Sequence, residues 1–120
     1  MGFFDPGSAD LPQARRKMLA DAFRPGEVCA INPDPRRRLV FHVTGHADGS
    51  GSEIANEQLG LRRAQNVADY LVELGVAREY ICVSSRGSKS LLVKTDGPEP
   101  QNRRVEIVAR QLNPGQAPCQ

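Results

Sequence analysis

A single alternating stretch constrains this chain more than any other feature. Leu39, Phe41 and Val43 alternate with Val40, His42 and Thr44, so one face of the strand is apolar and the other is mixed. The same split returns near the C-terminus, where Val105, Ile107 and Ala109 alternate with Arg104, Glu106 and Arg110. A sheet of such strands meets a core on one side and water on the other, so helices can cover only one face. Two amphipathic segments can do so. Leu11, Ala14, Met18, Leu19, Ala22 and Phe23 recur at helical spacing, with Pro12 suited to the first turn and Pro25-Gly26 ending the pattern. Leu61, Ala64, Val67, Ala68, Leu71 and Leu74 form a second stripe, with Arg62, Asn66, Asp69 and Glu73 opposite. Gly75 then supplies a residue tolerant of the left-handed conformation that closes a helix, and Val76 can pack back on Leu71.

With short strands at Met1 to Phe4 and Tyr80 to Ser84, the order becomes β-α-β-α-β-β. The expected fold class is α/β (α+β), a two-layer sandwich with a mixed four-stranded sheet. Both helices lie on one face and the last two strands are antiparallel. A chain of 120 residues suits one domain, placed at 1–112, and the Pro/Gly/Gln-rich segment 113–120 reads as a disordered tail. Arg36, Arg37 and Arg38 read as a solvated edge, and Pro25 to Pro35 as a connecting loop. Arg86 to Gln101 is a loop of unusual length, of the kind more often functional or mobile than neutral.

Several function classes are excluded on composition and pattern. A net charge of +2 with 5% aromatic residues gives no concentrated basic face for nucleic acid. No apolar run approaches the roughly 20 residues of a membrane span, and the first residues lack the regions of a signal peptide. Gly45, Gly49 and Gly51 superficially suggest a phosphate loop, but no Gly-Lys-Ser/Thr follows. Cys82 falls within a strand and no serine stands in a Gly-x-Ser-x-Gly elbow, so no catalytic residue and no cofactor are expected. His42 and His46 lie about 13 Å apart on an extended strand, too far to share a metal ion with Asp48 unless the chain turns at Gly45. A histidine satisfied in a turn is the reading for His46, and a solvated strand residue that for His42.

Asp48 and Arg63 stand out as candidate binding residues. A helix beginning at Leu61 would place Arg62 and Arg63 in its first turn, where the dipole disfavours cations by roughly 0.3 to 1 kcal/mol. An anionic partner reverses that sign. Arg63, at the margin of the apolar stripe, offers a planar fork suited to gripping a carboxylate by two hydrogen bonds. Asp48, in a glycine-bearing loop, can accept an ammonium. The pair complements a zwitterion. The plainer alternative is a turn cap joined to a surface ion pair worth 0 to about 1 kcal/mol. Asn56 fits equally well as an Asx-turn residue.

Three ordered motifs carry a family resemblance. Phe3-Phe4-Asp5 with Ser8-Ala9-Asp10-Leu11, Gly45-His46-Ala47-Asp48 with the Asn56 to Ala64 segment, and Asn102-Arg103-Arg104-Val105-Glu106-Ile107 follow one another as in the OmpA-like C-terminal domain. That module occurs in outer-membrane protein A, peptidoglycan-associated lipoprotein and flagellar stator proteins. Ala47 replaces the family's usual threonine, and Gly60 replaces a serine that usually precedes the helix.

The resemblance implies a non-catalytic periplasmic domain, cell-wall associated and linked to the outer membrane. Such a domain binds peptidoglycan through the meso-diaminopimelate of the stem peptide. It assigns Asp48 to the ammonium and Arg63 to the carboxylate, with Asn56 between them and Arg103 closing the site from the last strand. Ala47 and Gly49 flank Asp48, and Gly7 falls where some members use a side chain. Arg104 alternates to the polar face with a structural role. A signal sequence and any barrel, lipid anchor or membrane helix are expected upstream. An oxidising compartment permits a Cys29–Cys82 disulfide, with two buried or half-buried thiols as the alternative and Cys119 left in the tail. A diverged member that binds an envelope protein partner is the second functional reading.

Overall fold

The computed structural model describes residues 4–22, 38–89, 91, 93–95, 97, 99–112, 115 and 119. Among them, strand β1 (Arg38–His46) is the centre of a three-stranded sheet of order β2-β1-β3. Strand β2 (Ile81–Gly87) runs parallel to β1, with Phe41 opposite Ile81 and Thr44 opposite Ser84. Strand β3 (Val105–Leu112) runs antiparallel to β1, with Val43 opposite Ile107 and Arg38 opposite Leu112. The last two strands therefore do run in opposite directions, but they are separated by β1 and share no hydrogen bonds. The expected fourth strand falls mostly on residues 1–3, outside the described residues. Phe4, at its end, donates its N–H to the Arg103 carbonyl at 2.8 Å.

Two helices, α1 (Gln13–Ala22) and α2 (Glu53–Glu73), pack against this sheet as a mixed α+β sandwich. The core joins Phe41 and Val43 of β1, Ile81 of β2 and Val105 of β3 to Leu19 of α1 and to Ala64, Val67 and Leu71 of α2. Leu71 is fully buried, a burial that stabilises by about 1.5 to 3 kcal/mol. In α1, Leu19 is buried but Met18 is 49% exposed, so the stripe is narrower than its spacing suggested.

Helix α2 departs from expectation at its start. It begins at Glu53 because the Ser52 side chain accepts the Ala55 N–H at 3.1 Å, a hydroxyl cap, and Glu53 places an acid in the first turn. Arg62 and Arg63 therefore lie in mid-helix, and the dipole argument made for them does not hold. The helix also presents a rotated face. Asn56, Gly60, Arg63, Ala64, Val67, Ala68 and Leu71 are buried, whereas Leu61 is 39% exposed. Arg63 takes the inward place that the apolar pattern gave to Leu61.

Gly60 is the reason the helix can continue through a residue that resembles a break. A Cβ built at Gly45 would lie 1.6 Å from the Gly60 carbonyl oxygen, and one at Gly60 would lie 2.4 Å from Ser85 Oγ. The two glycines let α2 and β1 cross almost in backbone contact. The C-terminus of α2 closes as expected. Gly75, at φ 110°, donates to the Val72 carbonyl and Val76 donates to the Leu71 carbonyl, both at 3.0 Å, which is the Schellman arrangement.

Cys82 is bonded to Cys119, with the two Cα atoms 5.4 Å apart, so the expected Cys29–Cys82 disulfide does not form. Cys29 lies outside the described residues. The topology explains the pairing. Because β1 and β2 are parallel, they start at the same end of the sheet, and antiparallel β3 finishes there with Leu112 opposite Arg38. Residues after Leu112 therefore emerge near Cys82, within easy reach of an extended chain. Most of 113–120 is outside the described residues, but Cys119 is tied to β2.

Candidate functional site

The site assembles where the C-terminal end of β1 runs into the Ala47–Gly51 turn, beside the middle of α2 and the approach to β3. The turn organises Asp48. Its Oδ1 accepts the Ser50 N–H at 3.2 Å and the Ser50 hydroxyl, the Asx-turn geometry that an Asp followed two residues later by Ser favours. Its Oδ2 accepts Arg103 Nη1 at 2.8 Å and the Glu99 N–H at 3.3 Å. Burial pushes the Asp48 carboxyl up, but the hydrogen bonds from Ser50, Arg103 and Glu99 outweigh it, leaving the group below its ordinary value and ionised.

Arg63 is fully buried and holds three backbone carbonyls. Nε donates to Ser8 at 2.8 Å, Nη1 to His46 at 2.9 Å and Nη2 to Asp5 at 3.0 Å. The Phe4 ring covers the guanidinium, its centroid 5.1 Å from Cζ. Burial lowers the Arg63 pKa to about 10, partly offset by the attraction of Asp48, so the group stays charged at neutral pH. Arg103 mirrors this arrangement: its Nε donates to the Phe4 carbonyl at 2.7 Å while Nη1 holds Asp48. The Phe4–Ser8 segment is thus strapped to the site by both arginines.

The charge balance is uneven. Among the described residues, Asp48 forms its ion pair with Arg103 and not with Arg63, and no carboxylate lies within ion-pair range of Arg63. Two buried guanidiniums share one carboxylate, and carbonyl dipoles and a ring face take the remainder of Arg63's charge. An anion, or the carboxylate end of a zwitterion, is what such a cluster can accept.

The other expected site residues are distributed around this centre. Asn56 is buried on the first turns of α2, and a Cβ on Gly51 would meet its Oδ1 at 3.4 Å, so it faces the turn that carries Asp48. Ala47 is buried and donates its N–H to the Gly87 carbonyl at 2.9 Å; Gly49 is half-buried in the turn. Gly7 is exposed at φ 69° within the strapped segment, where only its backbone is available. Arg104, expected on the polar face, is instead 5% exposed, and its Nε donates to Glu106 Oε1 at 3.0 Å. His46 is buried beside the same carboxylate, and His42 is half-buried. Among the described residues no group of three or more His, Cys, Asp or Glu is placed to hold a metal ion.

Ser50, Glu99, Phe4 and Asn102 were not singled out from the sequence. Ser50 carried a usable signal in Asp48-Gly49-Ser50. Asn102 did not: its fully buried amide accepts the Val93 N–H at 3.0 Å and donates to the Val93 carbonyl at 2.8 Å, pinning the long loop beside the site.

The model of the OmpA family matches residues 3–105. The chain is 35% identical over 115 residues, 88% of its length, to an outer membrane protein of Gluconacetobacter diazotrophicus. It is 40% identical over 80 residues, 65% of its length, to the peptidoglycan-associated lipoprotein of Legionella pneumophila. It is also 44% identical over 68 residues, 55% of its length, to the peptidoglycan-binding protein ArfA of Mycobacterium tuberculosis. The chain spans 28%, 44% and 21% of these relatives. Among solved structures, the OmpA-like domain of FopA1 from Francisella tularensis superposes with a TM-score of 0.72 at 28% identity, covering 92% of this chain and 73% of that one. The peptidoglycan-associated lipoprotein of Burkholderia pseudomallei superposes with a TM-score of 0.74 at 24% identity, over 90% and 87% of the two chains, and supports the fold alone.

Proposed function

The chain belongs to the OmpA family, and from that premise we propose that it is a non-catalytic periplasmic domain that tethers a longer envelope protein, linked to the outer membrane, to the cell wall. It binds peptidoglycan without covalent attachment, through the free end of meso-diaminopimelate in the stem peptide. The carrying observation is the cluster of Asp48, Arg63 and Arg103, buried together with one positive charge in excess. Arg63 takes the ligand carboxylate through its planar fork, and Asp48 takes the ammonium. Asn56, Arg103 and the backbone around Ala47, Gly49 and Gly7 line the approach.

Because Arg63 is fully buried beneath Phe4 and the carbonyls of Asp5 and Ser8, a ligand carboxylate reaches it by parting the Phe4–Ser8 segment from the guanidinium. Part of the binding energy is consumed by that exchange, so a single stem peptide binds weakly. An anchored protein facing a polymeric wall recovers avidity through effective concentration.

Isolated walls of the diaminopimelate and lysine types separate this reading from a protein-binding one. Wild type is expected on the former and not the latter, because a lysine-type stem lacks the second carboxylate. Folded Asp48→Asn should lose on the order of 2 to 5 kcal/mol of binding to the diaminopimelate wall. Equal retention on both wall types, or undiminished retention of that variant, would sink the assignment.

A further inference from the structure

His46 is the buried titratable group that the site geometry leaves without a task. Its side chain is 2% exposed and neither ring nitrogen has a hydrogen-bond partner. Nε2 lies 3.4 Å from Glu106 Oε2, inside ion-pair range but without hydrogen-bond geometry. The other oxygen of that carboxylate is held by Arg104 Nε at 3.0 Å, and Arg86 of β2 adds a further positive charge acting on the ring. The imidazole therefore sits on the Glu106 side of the sheet, among two guanidiniums and one carboxylate.

The backbone of this residue belongs to the binding site. Its carbonyl accepts Arg63 Nη1 at 2.9 Å, and its N–H donates to the Arg104 carbonyl at 2.8 Å. The register between β1 and β2 also shifts between Gly45 and His46, so the strand already departs from regular pairing at this point. Any displacement of the ring is transmitted through one residue to the guanidinium and through two to Asp48.

We propose that His46 is a proton switch for the peptidoglycan site: neutral, it leaves Glu106 to Arg104 and keeps its carbonyl on Arg63, and protonated, it draws Glu106 from Arg104 and loosens that grip. The inference rests on the wall-binding reading above. Burial and the Arg104 charge hold the ring below the ordinary imidazole value, while Glu106 pulls it back up, so the ring is neutral at pH 7. Acidification puts a cation among cations. The arrangement that binds the wall is the one with the neutral ring, and proton uptake competes with binding by linkage.

The switch is tested with retention on isolated diaminopimelate-type walls at pH 7.5, 6.5 and 5.5 and constant ionic strength. Wild-type affinity should fall roughly three- to tenfold across that range, within the limit of tenfold per pH unit for one proton. His46→Gln, normalised to its own value at pH 7.5, should be flat, whereas His42→Gln should keep the wild-type slope. A pH-independent wild type, or a His46→Gln variant that keeps the slope, overturns the proposal. Should that variant fail to fold, NMR of the ligand-free wild type decides: the Arg63 Nε–H resonance must move with the midpoint of the His46 ring, and an unresponsive Arg63 overturns it. Absence of wall binding at every pH removes the wall-binding reading, while the ligand-free titration still decides the switch.

Discussion

Replacing Arg63 by alanine tests whether this residue belongs to the fold as much as to the site. The guanidinium makes three charge-assisted hydrogen bonds to backbone carbonyls, each worth about 1.5 to 3 kcal/mol. Two of the acceptors, Asp5 and Ser8, lie in an exposed to half-buried segment that water can reach once the side chain is gone, so their loss counts near the lower limit. The His46 carbonyl is buried and counts in full, and the cover of Phe4 is lost with it. Arg63→Ala should therefore cost about 4 to 6 kcal/mol, close to the whole stability of many domains of this size. In urea, with a slope of roughly 1.5 kcal/mol per molar, the midpoint falls by about 3 M or the variant is unfolded from the start. Arg63→Lys keeps the charge but can reach one acceptor well, and should sit between. Far-UV circular dichroism against urea measures both. A midpoint for Arg63→Ala within about 1 kcal/mol of wild type would refute the carbonyl clamp. If the clamp holds, loss of wall binding in Arg63→Ala reports unfolding, and Asp48→Asn is the cleaner probe of the ligand contact.

Gly45→Ala should destabilise by about 3 kcal/mol or more, since a Cβ at 1.6 Å from the Gly60 carbonyl forces α2 off β1; a thermal midpoint within a few degrees of wild type would contradict the crossing. Non-reducing peptide mapping should recover a Cys82–Cys119 peptide pair, and a Cys29–Cys82 pair would overturn the topology argument; Cys119→Ser should cost up to about 4 kcal/mol, the loop-closure value for a separation of 37 residues. Asp48 has a folded pKa below its unfolded one, so its contribution is present above the ordinary carboxylate range and is lost as pH falls through the folded value. Denaturant midpoints should therefore decline more steeply below pH 4 in wild type than in Asp48→Asn, and parallel declines would remove that assignment.

Local pattern determined a good deal of this protein. Alternation in β1 and β3 and helical spacing in α1 and α2 state which faces are apolar, and one-sided strands allow helices on only one face. The Gly75–Val76 closure needed nothing beyond its own turn, because a Schellman motif is local hydrogen bonding. The ordered motifs around Asp48, Arg63 and Arg103 marked the residues that the fold brings together.

Tertiary structure decided what depends on approach across the chain. The start of α2 was misplaced because Gly60 reads locally as a helix breaker, and only its crossing with Gly45 explains why a glycine belongs there. Arg63 reads as a marginal, solvent-facing cation, yet carbonyls from Asp5, Ser8 and His46, remote in sequence, make burial of its charge tolerable. Which carboxylate each arginine holds, and which cysteine meets Cys82, follow from β1 lying between β2 and β3. Residue spacing cannot encode that order, since it is fixed by packing all the strands and helices at once.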